Sequence, residues 1–593
     1  MTADEIRERI IDVVSRNGGH LASSLGAVEI AMALAETFDP ARDRVVWDVG
    51  HQAYAWKLLT DRRGLGFDSL RQLDGMAPFP NPSESVADAA VAGHAGVALS
   101  VAAGLAAARD LRGTDESVIA VIGDASIANG TSFEALNTVA TATRKVIVVL
   151  NDNEMSISRP AGSLAKLFGR LITSIRYNRV KAAAESAGHR LRLTFLRGIY
   201  HRIESRIKSW FLSNAVFEHF GLRYIGPVDG HDLVKLKEAF TVAKEDKRSV
   251  LVHVVTRKGK GYAPAEREPT KFHGIGPFAR AFAAPADGDA SLKTRGWSEA
   301  MGAALVAAAR RDTRIVALTA GMKDGTGLVD FAREFPDRFH DVGIAEGHMV
   351  AFAAGLAAGG RRPVIAVYST FLQRAIDQVL HDVCISNLPV IFCVDRAGAV
   401  GADGVTHQGL YDIAMLRAIP NLTICQPCDA ADLEALLAEA LERKGPTVIR
   451  YPRGAVPRGV VGENRSPKAI DGGRRLSRTL IEGEGRLSIW ATGDQLAKAC
   501  AVAERLPGSS VVFARYLKPF DTERIACDRA AGRRIVSIEN GTVAGGFGEA
   551  IGADLRFGWP DAFIPHGLVP ELESRYHFDV DSIVAECKGD SHG

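Results

Sequence analysis

Two short apolar runs, SVIAVIG (117–123) and VIVVL (146–150), each end in residues able to hold a cation: Gly123–Asp124 after the first, Asn151–Asp152–Asn153 after the second. If both runs are strands of one parallel sheet, Asp124 and Asn153 meet in a single crevice. Ligands of open parallel sheets sit outside the carboxyl ends of the strands. One carboxylate and one amide oxygen are hard donors suited to Mg²⁺ or Ca²⁺. They are too few to hold the ion without water and the phosphates of a cofactor. Taken alone, the pair also reads as turn-forming Asx residues.

Three histidines follow glycine in the region ahead of Asp124: Gly19–His20, Gly50–His51 and Gly93–His94. Glycine lets the backbone approach a ligand closely, and a neutral imidazole can donate to phosphate or to a carbonyl oxygen. A single histidine of this kind reads as a satisfied core residue; the threefold pattern favours a site. Glu346 opens an otherwise Ala-, Gly-, Val- and Phe-rich helix in DVGIAEGHMVAFAAGLAAGG (341–360). It could merely complement the helix dipole. Burial would raise its pKa and let it exchange a proton with a ligand nitrogen. The anion-binding candidates are Arg396, Asp403 and His407 in DRAGAVGADGVTHQG (395–409), Tyr368 and Arg374 in YSTFLQRAIDQ (368–378), and Arg450 and Arg453 in IRYPRG (449–454). Arginine at loop positions suits phosphate or carboxylate through its fork of donors.

Positioning these residues requires alternating strands and helices, and three segments carry that pattern. The first holds the runs 117–123 and 146–150 with a helix over 132–142 between them. The second holds 314–321, 362–368 and 388–394, with a helix over 371–383. The third holds 486–493, 509–516 and 533–540. Runs apolar on both faces predict strands covered by helices on both sides. Small, polar connectors at 283–294 and 453–475 suggest cuts that give domains 1–290, 291–465 and 466–593. The predicted class is α/β, three domains with mainly parallel sheets flanked by helices.

Composition sets the outer limits. The 593 residues are 47% apolar and 24% charged, which excludes a disordered chain. Lys+Arg 72 against Asp+Glu 70 leaves +2, so no global field calls for nucleic acid or an anionic membrane. Seven cysteines do not read as a disulfide framework, and Cys425 and Cys428 read as small buried thiols. The charged N-terminus, MTADEIRERIIDVVSRN, is no secretory signal. The uncharged stretch from Ala89 to Ala108 reads as buried loop and helix. A reducing cytoplasm is the expected compartment. Lys166 to Lys208 carries eleven Lys/Arg against Glu185 and Glu204. It reads as a solvated cover of the first domain, with a membrane or acidic partner as the other option.

These stretches, together with WDVGHQAY (47–54), LNDNEMSIS (150–158), YIGPVDGHD (224–232), RKGKGYAPAE (257–266) and FIPHG (563–567), resemble the 1-deoxy-D-xylulose-5-phosphate synthase family. That family is a branch of the thiamine-diphosphate-dependent, transketolase-like enzymes. The resemblance runs from about residue 10 to about 580. It implies a homodimer of transketolase-like subunits with thiamine diphosphate and Mg²⁺ held between the first and second domains. It also implies condensation of pyruvate with D-glyceraldehyde 3-phosphate, with loss of CO₂. By position, Asp124 and Asn153 would hold Mg²⁺ on the diphosphate. His51, Gly93, His94, Ala95, Ala125, Ser126, Asn153 and Tyr262 would line the cofactor. Glu346 would hydrogen-bond its aminopyrimidine and promote the imino tautomer. His20, His407 and Asp403 would handle pyruvate, acceptor hydroxyls and protons, and Arg396 and Arg453 would clamp phosphate with Tyr368 and Arg374 in the wall. The chain departs from the family at Gly123–Asp124–Ala125 for GDG, GHAGV (93–97) for GHSST and AEGH (345–348) for AEQH. A divergent carboligase with another acceptor, or a catalytically weakened regulatory paralogue, is the alternative.

Overall fold

The structure, a computed structural model, describes residues 1–153, 215–279, 295–457 and 476–589. The basic stretch 166–208 and the expected cuts near 290 and 465 lie outside the described residues. The chain divides into two compact units: Met1–Leu70 with Gly75–Ala283, and Arg71–Asp74 with Ala284–Gly593.

The first unit is built on a five-stranded, wholly parallel sheet. Its strands are β1 (Arg44–Trp47), β2 (Val118–Gly123), β3 (Ile147–Asp152), β4 (Arg223–Asp229) and β5 (Val250–Val255), in the order β1-β2-β3-β5-β4. Alternate side chains of the continuous apolar runs feed two separate cores, as a strand's period of two requires. Ile119, Val121, Ile147 and Val149 join Ile30, Leu34, Leu236 and Phe240 on one face. Ala120, Ile122, Val148 and Leu150 join Leu99, Ala102, Leu136 and Val139 on the other. The helix expected over 132–142 is Gly130–Ala142, started by the Asn129 side chain accepting from Thr131 N. The uncharged stretch 89–108 is loop followed by the helix Ala98–Arg112.

The second unit holds two sheets. A seven-stranded one contains β6 (Ile315–Thr319), β7 (Phe339–Asp341), β8 (Arg362–Tyr368), β9 (Ile391–Asp395), β10 (Thr423–Cys425) and β11 (Thr447–Arg450), all parallel. A five-stranded one contains β12 (Ser477–Ile481), β13 (Leu487–Ala491), β14 (Ser510–Ala514), β16 (Arg534–Thr542) and β17 (Leu555–Trp559), with β12 antiparallel. The remaining strand, β15 (Tyr516–Lys518), follows β14 of this five-stranded, third sheet but joins the seven-stranded one, antiparallel to β10.

One expectation is corrected here and one is refined. The run 509–516 is not one strand but breaks at Arg515. That side chain bonds Asp432 Oδ1 at 2.7 Å and Glu439 at 3.1 Å, while its carbonyl accepts from Gln426 N at 3.0 Å. The chain thereby turns from one sheet to the other. The helix expected over 371–383 is present but irregular: Ser369–Leu372 and Ile376–Gln378 are α-helical, Gln373–Ala375 tightens to a 3-10 turn and Val379–Cys384 widens to a π-helix. Cys425 and Cys428 are free, buried thiols. Among the described residues no helix is long and apolar enough to cross a membrane.

Candidate functional site

In the first unit, the carboxyl ends of the parallel strands collect the polar residues. Asp48 follows β1, Asp124 follows β2, Asn153 follows β3 and Lys258 lies beyond β5. Sheet order places β2 and β3 side by side, with Gly123 paired to Asn151, so Asp124 and Asn153 leave adjacent strand ends. Asp124 is buried, and its carboxyl is pushed up to about 6, first by desolvation and then by the charge of Asp152. Lys258, also buried, is pulled down to about 8 by burial, against the attraction of Asp124. A buried carboxylate facing a second one gains from a cation, and here a lysine already supplies part of that charge. Among the described residues no three His, Cys, Asp or Glu side chains converge as a metal cage. A hard cation at Asp124 and Asn153 would therefore need further oxygens from a ligand, such as those of a diphosphate.

The turn that carries Gly93, His94 and Ala95 is held from beneath. Asp48, 1% exposed, accepts from Gly96 N at 2.9 Å, Val97 N at 3.1 Å and Ala98 N at 3.0 Å. Ser132 Oγ donates to Gly96 O at 3.1 Å and to Ser126 O at 2.9 Å. Gly96 has φ +82°, and a Cβ there would lie 2.6 Å from the Asn129 side chain. The hydroxyl-poor GHAGV turn is thus shaped through backbone groups. Ala125 N donates to Asp124 Oδ1 at 2.9 Å, so the altered GDA turn still organises its carboxylate.

His20 and His51 of the Gly-His pairs come together, with ring centroids 6.1 Å apart. The sequence reading missed their neighbour His273, 5.9 Å from His20 and 5.1 Å from His51. Its turn, His273–Gly274, reverses the Gly-His order, and that glycine was the available signal. Desolvation holds His51 and His273 well below the ordinary imidazole pKa, helped by charge repulsion from neighbouring histidines and Lys258. Neutral rings can donate from one nitrogen and accept at the other. His51 Nδ1 is buried with no hydrogen-bond partner among the described residues, which suits a ring that meets a ligand. Tyr262 is half-buried and packs edge-on against Phe272.

The second unit carries the remaining candidates. Glu346 is the first residue of the helix Glu346–Ala358, 5% exposed, with its carboxyl raised by burial and held back by Arg374 at 3.7 Å. Arg374 therefore sits at Glu346. Arg396, at the end of β9 with φ +56°, lies over the Tyr368 ring at 4.0 Å. Its Nη1 donates to Asp395 at 2.6 Å, Ser298 at 2.8 Å and Gly325 O at 2.8 Å, which fixes the guanidinium. Burial raises the Tyr368 hydroxyl to about 12, so it stays a donor.

Asp403 and His407 flank a short turn, Gly404–Thr406. Arg71 donates to Asp403 at 2.6 Å, and Arg453 reaches the same carboxylate at 3.6 Å. Arg71 went unnoticed in the sequence, because 332 residues separate it from Asp403. Burial lowers the His407 pKa. Arg450, read as an anion ligand, is fully buried and bound to Asp412 at 2.9 Å and Gln426 at 2.6 Å, so it is part of the core.

Against known proteins, residues 1–256 match the family model described as 1-deoxy-D-xylulose-5-phosphate synthase, and residues 293–458 match that of the transketolase pyrimidine binding domain. A 1-deoxy-D-xylulose-5-phosphate synthase of Desulforudis audaxviator is 44% identical, over 99% of this chain and 94% of its own length. A 1-deoxy-D-xylulose-5-phosphate synthase 2 of Geobacter sulfurreducens is 44% identical, over 99% and 95%. Among solved structures, a transketolase from Campylobacter jejuni covers 99% of this chain and 98% of its own, at 17% identity and TM-score 0.44.

Proposed function

The chain belongs to the 1-deoxy-D-xylulose-5-phosphate synthase family, and from that premise we propose that it condenses pyruvate with D-glyceraldehyde 3-phosphate. The products are CO₂ and 1-deoxy-D-xylulose 5-phosphate, a precursor for non-mevalonate isoprenoid, thiamine and pyridoxal biosynthesis. The observation that carries the reading is the 44% identity to 1-deoxy-D-xylulose-5-phosphate synthases over nearly the whole chain, and the Glu346 carboxyl buried at the start of an apolar helix supports it.

When bound, thiamine diphosphate supplies the nucleophilic carbon and the electron sink that decarboxylation of a 2-oxo acid needs. The residues present suit it. Asp124 and Asn153 would hold Mg²⁺ on the diphosphate, with Gly93 to Ala95, Ala125 and Ser126 alongside. Glu346 keeps its proton to a higher pH than an exposed glutamate, and its carboxyl would hydrogen-bond a ring nitrogen of the cofactor and exchange a proton there. His51 and Tyr262 would line the cofactor, and His20 would donate to the pyruvate oxygens. His407, kept neutral by burial, accepts or returns the proton of the acceptor hydroxyl, and Asp403 orients that group. Arg396 and Arg453 bind the acceptor phosphate, with Tyr368 holding Arg396 in place by its ring face and Arg374 holding the Glu346 carboxyl. The division into 1–290, 291–465 and 466–593 gives a diphosphate-binding, a pyrimidine-binding and a C-terminal domain, and the working form is a cytoplasmic homodimer.

One assay tests the reading: purified chain, Mg²⁺, thiamine diphosphate, pyruvate and D-glyceraldehyde 3-phosphate, with the sugar product identified by mass. The expected product is 1-deoxy-D-xylulose 5-phosphate with one CO₂ per turnover. Bound cofactor without CO₂ release would point to a weakened paralogue, and preference for another aldehyde to a divergent carboligase.

A further inference from the structure

The third sheet holds none of the proposed site residues, yet its polar side chains reach the loop that does. Gly398 and Gly409 close the base of that loop, exchanging N–H···O bonds of 2.7 and 2.8 Å. Between them lie Asp403 and His407, and Arg396 immediately precedes them. Asn540, on β16 and 8% exposed, accepts through Oδ1 from Ala399 N at 3.0 Å and from Trp559 Nε1 at 2.9 Å. Its Nδ2 donates to Asp494 Oδ2 at 2.7 Å. Gly398, with φ +98°, leaves the space the amide occupies; a Cβ there would come within 2.1 Å of Asn540 Nδ2.

A second tie runs through Gln408, 2% exposed. Its Oε1 accepts from Val400 N at 2.7 Å, and its Nε2 donates to Pro565 O at 3.1 Å. The same C-terminal turn abuts the loop at Gly401 and Gly404, where a Cβ would lie 2.9 Å from Gly567 O and 3.0 Å from His566 Cβ. An aspartate at position 540 would set a carboxylate against Asp494, and a serine is too short to serve three partners, whereas the asparagine amide serves all three.

We propose that the third sheet acts as a brace for the acceptor-binding loop 398–409, with Asn540 as its positioning residue. The proposal rests on the reading that Arg396, Asp403 and His407 handle the acceptor. A loop held by two buried amides keeps its anion-binding groups in place before the substrate arrives, which lowers the ordering cost of binding. Pyruvate, assigned to other residues, gains nothing from it.

The test uses the full chain with thiamine diphosphate and Mg²⁺ and compares wild type, Asn540→Ala, Gln408→Met and Ser488→Ala. Ser488, bonded to Asp528 at 2.7 Å, weakens the same sheet without touching the loop. Hydrogen exchange by mass spectrometry should show peptides over 398–409 exchanging at least tenfold faster in Asn540→Ala and Gln408→Met, and unchanged in Ser488→Ala. The KM for D-glyceraldehyde 3-phosphate should rise about tenfold in the first two, with the KM for pyruvate within twofold. If Asn540→Ala does not fold, Gln408→Met carries the same comparison. Unchanged loop exchange, equal rises in both KM values, or the same effects in Ser488→Ala would overturn the brace. A wild type that makes no 1-deoxy-D-xylulose 5-phosphate would overturn the proposed function instead, and the exchange data would still decide the brace.

Discussion

Glu346 shows how an ordinary residue type becomes useful through its surroundings. Burial raises its carboxyl, and Arg374 at 3.7 Å keeps the shift in check. Glu346→Gln should fold normally but lose about 10²–10⁴-fold in kcat, the usual worth of a general acid–base group. A variant retaining a third of wild-type turnover would place the proton exchange elsewhere. Asp124→Asn removes the one formal negative charge assigned to Mg²⁺. Calorimetric titration with thiamine diphosphate should then show affinity that no longer responds to Mg²⁺. Arg453 is half-exposed, so the phosphate contact proposed for it belongs at the weak end of charged hydrogen bonds. Arg453→Ala should raise the KM for the phosphorylated aldehyde about tenfold and leave that for pyruvate and for an unphosphorylated aldehyde unchanged.

At the scale of elements, the strand ends and the turns after them do the positioning. Asp48 ties the end of β1 to the start of the helix Ala98–Arg112 and so shapes the turn between. Glu539 plays the equivalent part on β16, accepting from Phe547 N and Gly548 N at 2.7 Å each. It is fully buried, and desolvation pushes its carboxyl up to about 7 against those two N–H groups. The folded chain therefore binds this proton more tightly than the unfolded chain. The associated stability is complete below the ordinary glutamate pKa of about 4.5 and is lost as pH rises through about 7. The shift corresponds to about 3 kcal/mol. Glu539→Gln should flatten the pH dependence, so that denaturant midpoints of the cofactor-free chain fall less between pH 5 and pH 8 than in wild type. An unaltered slope would mean that this carboxyl is not the titrating group.

At the scale of the molecule, the second unit is one compact body with two sheets that share a core. One core combines Leu318, Ile365 and Phe392 of the larger sheet with Trp490, Val512 and Ile535 of the smaller. The exchange of β15 adds a strand-to-strand link. Residues 295–457 alone would expose that core face and the free edge of β10. Expressed by themselves they should bind a hydrophobic dye and melt without cooperativity, while 295–589 should melt in a single transition. A sharp transition for the shorter piece would show that the sheets fold independently.

The sequence by itself determined the α/β class, the central strands and the strand-end placement of Asp124 and Asn153. Runs such as VIAVIG and IVVL bury both faces, and such runs have few other folded outcomes. It also determined that Glu346 starts an apolar helix. Only the tertiary structure decided that Arg450 belongs to the core, that His273 and Lys258 join the first unit's site, and that Arg71 meets Asp403. It likewise decided that Arg515 breaks a continuous apolar run and sends β15 to another sheet. Periodicity is local and reports which face of an element is buried. A pairing between residues hundreds of positions apart depends on how buried charges find partners once the sheets have packed, and no local pattern encodes that.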